Sequence, residues 1–145
     1  MKNITLKLIL YCFMCIPFLN GYAQSDSLKL IYSDIKQTDS VRFMALDTLF
    51  FKYYYKEPDS TLKAINYHQR LAEEKNNKEE ICNALIRTAL IYGQKREYEK
   101  CLRLFNNALV IAKELNKRNL EAMIMSRKSL LYNETYKYVE AIRSG

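Results

Sequence analysis

Apolar residues return every three to four positions over most of the chain, which is the helical period. The clearest stretch is central, where Ile81, Leu85, Thr88, Ala89 and Tyr92 form one stripe that Gly93 closes. Glu97 opens the next segment, in which Leu102, Phe105, Ala108, Leu109 and Ala112 keep the same spacing. Upstream, Asp39-Ser40 reads as a helix-capping pair, able to accept the free amides of a first turn, for a helix running to about Lys56. Pro58-Asp59-Ser60 marks a turn, and a second helix runs from it to about Asn76. Asn76-Asn77-Lys78 and Asn116-Lys117-Arg118 are matching turns, and Ser27 to Lys36 forms a short leading helix. The pattern predicts an all-α chain of helix pairs at 39–77, 78–117 and 118–145. In the last pair the second helix starts near Tyr136 and is cut to about half length.

Shifting the chain by forty places like residues on like residues. Ala72 meets Ala112, Tyr92 meets Tyr132, Tyr98 meets Tyr138, and Leu90-Ile91 meets Leu130-Leu131. Within the central unit, Leu85, Ala89 and Tyr92 are followed by Tyr98, Cys101, Phe105 and Ala108. This order of large, small and aromatic positions resembles the tetratricopeptide repeat family. The last unit keeps Ser129, Tyr132, Tyr138 and Ala141. The first departs from the pattern at Leu49, Lys52 and His68. The resemblance covers residues 39 to 145 and implies antiparallel helix pairs stacked as an α-solenoid, with a concave face that binds a protein or peptide. The Asp-Ser-Val opening and Pro-Asp-Ser turn are similar to exported repeat modules that precede bacterial sensor kinases or regulators.

The first segment carries a different signal. Lys2 and Lys7 supply positive charge, Leu8 to Leu19 is uncharged and mostly apolar, and Gly21 and Ala23 supply small residues. That is the order of a secretory signal peptide over residues 1–23, cleaved after Ala23, with 24–38 as leading helix and linker. A run of about a dozen apolar residues is short of the roughly 20 that span a bilayer. The expected location is therefore exported, periplasmic or secreted, in a bacterium. Any membrane attachment would come through an uncleaved signal or a C-terminal part beyond residue 145.

Composition narrows the chemistry. Among 145 residues there are three glycines, two prolines, one histidine and no tryptophan, while 27% are charged and 49% hydrophobic. So few turn formers argue against a β-sandwich or barrel, and the scattered Gly21, Gly93 and Gly145 exclude a glycine-rich phosphate loop. The formal charge is +7, but basic residues alternate with acids, as in Lys95-Arg96-Glu97 and Glu99-Lys100. A solvated helix surface, with no nucleic-acid partner, is expected. His68 has no second histidine with which to build a zinc cage, and reads as a half-exposed helix residue. Cys82 and Cys101 would lie on the order of 12 Å apart along antiparallel helices, too far for a disulfide. Glu73-Glu74 and Glu79-Glu80 flank a turn and point to water. No catalysis, cofactor or metal is expected.

The resemblance assigns partner contacts to the first helix of each pair. These are Asp47, Phe50 and Tyr54; then Asn83, Arg87, Leu90 and Gln94; then Met123, Arg127, Leu130 and Asn133. Arg87 and Arg127 occupy equivalent, solvent-facing positions and are expected to hold an acidic group. The short last pair leaves Leu120, Met123 and Ile124 uncovered, which favours self-association. The alternative function is that of a sensory fragment whose membrane and kinase or DNA-binding output parts are missing.

Overall fold

The computed structural model describes the backbone of residues 25–144 and the side chains of residues 25–136; residues 1–23, expected to be a signal peptide, lie outside the described residues. Every regular element among the described residues is helical. A helix at 25–33 (α1) precedes α2 (Asp39–Tyr53), α3 (Pro58–Glu74), α4 (Lys78–Gln94), α5 (Tyr98–Glu114) and α6 (Arg118–Ser144). None of them is long and apolar enough to cross a membrane. The chain divides into two compact units at Leu49 and Phe50, within α2.

In the first unit, α1 leads to α2 through a turn held by Asp34, whose carboxylate accepts the Lys36 amide at 2.9 Å. The cap of α2 is Thr38 and not Asp39-Ser40: its hydroxyl accepts the Val41 amide at 3.4 Å, and Asp39 already lies in the first turn. Arg42 is buried and ties the two helices by donating from Nε to the Tyr32 carbonyl at 3.0 Å.

The second unit is a succession of antiparallel helices in which α3 packs on α4, α4 on α5 and α5 on α6. The ion pairs show the register. Asp59 at the start of α3 meets Lys95 at the end of α4 at 2.5 Å. Lys78 at the start of α4 meets Glu114 at the end of α5 at 2.9 Å. Both pairs span 36 residues, so one hairpin geometry is used twice. These bridges are exposed and contribute little energy; they report alignment.

Each hairpin is closed by the same terminator. Asn76, Arg96 and Asn116 sit twenty residues apart, with φ of 52°, 61° and 54°. At each, the residue's own amide and the next one donate back into the last turn. Asn76 and Asn77 bond to the Glu73 and Ala72 carbonyls, Arg96 and Glu97 to Gly93 and Tyr92, and Asn116 and Lys117 to Lys113 and Ala112. This is the Schellman arrangement, which satisfies carbonyls that would otherwise be orphaned and needs one left-handed residue. Gly93, expected to end α4, lies inside it. Its role is closeness: a Cβ there would meet the Cys101 sulfur at 3.3 Å. The α2–α3 link differs, because Pro58 takes the first helical position and keeps Glu57 before it out of the helical conformation.

By the twenty-residue interval the next left-handed residue would be Tyr136. Instead α6 runs unbroken through it, as one 27-residue helix. No left-handed turn forms at Tyr136, because the position filled by Asn76, Arg96 and Asn116 is here taken by an aromatic residue, which resists positive φ. The Thr135 hydroxyl bonds back to the Leu131 carbonyl at 2.9 Å, within the helix. The last region is therefore one long helix and not a shortened pair.

The core of this unit runs along α4, α5 and α6 through Leu85, Ala89, Cys101, Phe105, Ala108, Ala112, Ile124 and Leu131. A second cluster joins Phe50 to Ile65, Ala84 and Ile91. Small residues at 89, 101 and 108 let α4 and α5 approach closely, and Phe105 fills the space between them. Cys82 and Cys101 are free thiols, both buried. Burial pushes each up to about 11, so they remain protonated near neutrality.

Arg96 is the costly terminator, because a left-handed residue with a Cβ loses about 1–2 kcal/mol. Arg96→Gly should raise unfolding stability in urea by up to about 1 kcal/mol, after glycine's greater freedom in the unfolded chain is deducted. A loss of stability would show that Arg96 is not left-handed in solution.

Candidate binding groove and its buried support

The end of α2, the end of α4 and the middle of α6 surround a groove of about 290 Å³. Its lining includes Phe50, Tyr54, Leu90, Gln94, Arg127 and Leu130, six of the residues expected to contact a partner. The α2 side is an aromatic ladder. Phe50 stacks on Tyr54 at 4.6 Å, Tyr54 leans on Tyr55 at 3.9 Å, and Phe51 meets Phe50 edge-on at 5.3 Å. Phe50 is buried and forms floor, Tyr54 is half-buried, and Phe51 and Tyr55 are exposed. The exposed Gln94 donates from Nε2 to the Tyr55 carbonyl at 3.3 Å, which ties the ladder to the end of α4. Cys101, Phe105 and Leu131 complete the apolar base.

Two opposite charges stand on the α6 side. Arg127 is exposed and Glu134 lies two turns along the same helix. Neither makes an ion pair with the described residues. The Tyr54 phenol is pushed up to about 12, chiefly by burial and then by its hydrogen bond with Tyr55. The nearby Arg127 charge opposes this. Tyr54 therefore stays neutral and presents a hydroxyl and a ring face.

Beneath the α2 side lies a buried polar line across α3 and α4. His68 has no exposed surface, which corrects its reading as half-exposed. Its Nε2 is 2.8 Å from Glu80 Oε2 and its Nδ1 is 3.0 Å from Arg87 Nη1. Arginine can only donate, so Nδ1 must accept. The ring proton then resides on Nε2, which donates a hydrogen bond to Glu80, and this fixes the tautomer. Glu80 also accepts from Asn83 Nδ2 at 3.3 Å, and its amide is capped by Asn77 at 3.2 Å. The hydrogen bond from His68 is the main reason the Glu80 carboxyl is held below the ordinary carboxylate range, against the opposing effect of burial. A depressed carboxylate stabilises the fold above its unfolded pKa. That contribution is lost as pH falls through the lower folded value.

Arg87 is the main correction among the expected contact residues. It is only 8% exposed, bonded to His68, and its guanidinium carbon lies 5.7 Å from the centre of the Phe50 ring. It supports the groove from below and cannot reach a partner as Arg127 can. The forty-residue equivalence of the two arginines thus hides opposite environments. Asn83 is likewise engaged with Glu80. Asp47 is half-buried on α2 in the first unit, and Met123 is exposed on α6 outside the groove. Asn133 lines a separate, shallower hollow on α6. Of the patch expected at 120–124, Ile124 is buried and Leu120 half-buried, leaving Met123 as its exposed part.

Periodicity could not reveal the histidine line, although one clue was present. Arg87 interrupts an apolar run, Ala84-Leu85-Ile86 before it and Ala89-Leu90-Ile91 after it. A charge so placed is either exposed on a narrow face or buried against acceptors. Phe51 and Glu134 were missed because they lie one turn or less from the assigned positions.

Compared with known proteins, the chain matches no family model, no curated protein and no solved structure.

The two arginines are separable by experiment. Arg87→Ala should cost about 2–3 kcal/mol in urea melts, because it strips a charged donor from a buried acceptor. Arg127→Ala should change stability by no more than about 0.5 kcal/mol. Equal effects would contradict the burial assigned to Arg87.

Proposed function

We propose that this chain is a tetratricopeptide-like repeat protein that binds a peptide segment of a partner in the groove between α2, α4 and α6. The observation that supports the reading is the conjunction in one cavity of an aromatic wall with two charges, Arg127 and Glu134, that make no ion pair among the described residues. Tyrosine rings offer broad apolar contact at low conformational cost, and arginine grips a carboxylate through two parallel hydrogen bonds. The ligand that fits is a short peptide with an apolar or aromatic side chain beside an acidic group. The apolar part rests on Phe51, Tyr54 and Leu130, and the acid meets Arg127. The helix pairs belong to a stacked solenoid in this reading. Residues 1–23 act as an export signal, so the partner is met outside the cytoplasm.

The test is selection of a displayed random-peptide library on the immobilised protein. The enriched peptides should share an acidic residue next to an apolar one. Arg127→Glu and Leu130→Asp should each weaken their binding about tenfold or more, with helical circular dichroism unchanged. Enriched peptides that bind both variants as well as the parent, or a selection that enriches nothing, would contradict the assignment.

A further inference from the structure

The solvent face of α6 is the counterpart, forty residues on, of a face that α4 keeps covered. Leu85, Ala89 and Tyr92 of α4 lie against α5, with Leu85 9% and Ala89 0% exposed. Their equivalents Met125, Ser129 and Tyr132 have the same large, small and aromatic order. On α6 this face is bare: Met125 is 60%, Tyr132 55% and Tyr136 65% exposed. These residues recur at three and four and so stand in one row on the helix. Between the rings lies a shallow hollow lined by Ser126, Ser129 and Asn133.

We propose that this row pairs with the same row of a second copy, the two α6 helices lying antiparallel about a twofold axis at Ser129. The row is self-complementary when reversed. Ser129 meets its own copy, Ser126 faces Tyr132, and Ala122 faces Tyr136, so each ring finds a small residue opposite. A surface that contacts itself in this way closes at two copies. Charge also favours it. The chain carries +7, yet the row of Ala122, Met125, Ser126, Ser129, Tyr132 and Tyr136 contains no ionisable lysine, arginine or acid to repel its copy. Tyrosines suit a face that is wet in the monomer and apolar in the dimer, since their hydroxyls keep water at the rim. One helix per copy buries an area at the small end for stable interfaces, so association belongs in the range of roughly 10–100 µM.

Sedimentation equilibrium of the full chain from about 5 to 300 µM, bracketing that range, reads the stoichiometry directly. The mass should rise from one chain to two and stop, and Tyr132→Arg should hold it at one. Mild oxidation of Ser129→Cys should give a covalent dimer beyond any formed by the parent, which carries the same native cysteines. Met125→Cys should not, because position 125 faces 133 in the antiparallel pair. A single-chain mass at the highest concentration, growth beyond two chains, a Tyr132→Arg protein that still pairs, or equal cross-linking at 125 and 129 would each overturn the proposal. A single-chain mass would assign the face to a helix of a different protein. None of these outcomes bears on peptide binding in the groove.

Discussion

The second unit depends on one backbone constraint, a left-handed residue placed every twenty positions. Each such residue at 76, 96 and 116 turns the last amides back onto the helix and reverses the chain within three residues. Equal intervals make equal helices, and equal helices joined by equal turns meet in one register. That is why two exposed ion pairs, Asp59–Lys95 and Lys78–Glu114, repeat at the same separation without supplying much of the energy. The energy comes from burying Phe105, Ile124, Leu131 and their neighbours, each large side chain contributing roughly 1.5–3 kcal/mol relative to exposure. The terminators decide which faces receive that burial.

Where the interval lapses, the architecture changes. At Tyr136 no left-handed turn forms, α6 continues, and the helix that would have covered Met125, Ser129 and Tyr132 is not there among the described residues. The same long helix presents Arg127, Leu130 and Glu134 to the groove on its other side. One missing turn thus accounts for both a bare face and one wall of the candidate site. The opposite wall is held from beneath by His68, Glu80 and Arg87. There a buried cation is tolerated because the imidazole Nδ1 accepts a hydrogen bond from it and the Glu80 carboxylate accepts one from the imidazole Nε2.

Much of this was legible from residues alone. Helical period and the forty-residue shift located α2 to α5 within a few positions, and six of eleven assigned contacts line one cavity. What periodicity cannot see is which polar residue on an apolar stripe has found a buried partner. His68 and Arg87 lie nineteen residues apart on different helices, and only the packed register brings them to 3.0 Å. Nor does an internal repeat guarantee its own last turn. The match of Tyr98 to Tyr138 suggested a new helix start, but the position that Asn116 fills one hairpin earlier is here Tyr136, which resists the left-handed conformation.

The most direct measurement of this account is the backbone conformation at positions 76, 96, 116 and 136, read by NMR from carbon chemical shifts and amide–Hα couplings. The account predicts left-handed values at Asn76, Arg96 and Asn116, and helical values at Tyr136 continuous with its neighbours on both sides. A left-handed residue or a break in helical shifts between 133 and 138 would contradict it, because α6 would then be a hairpin and its outer face would be covered from within the chain.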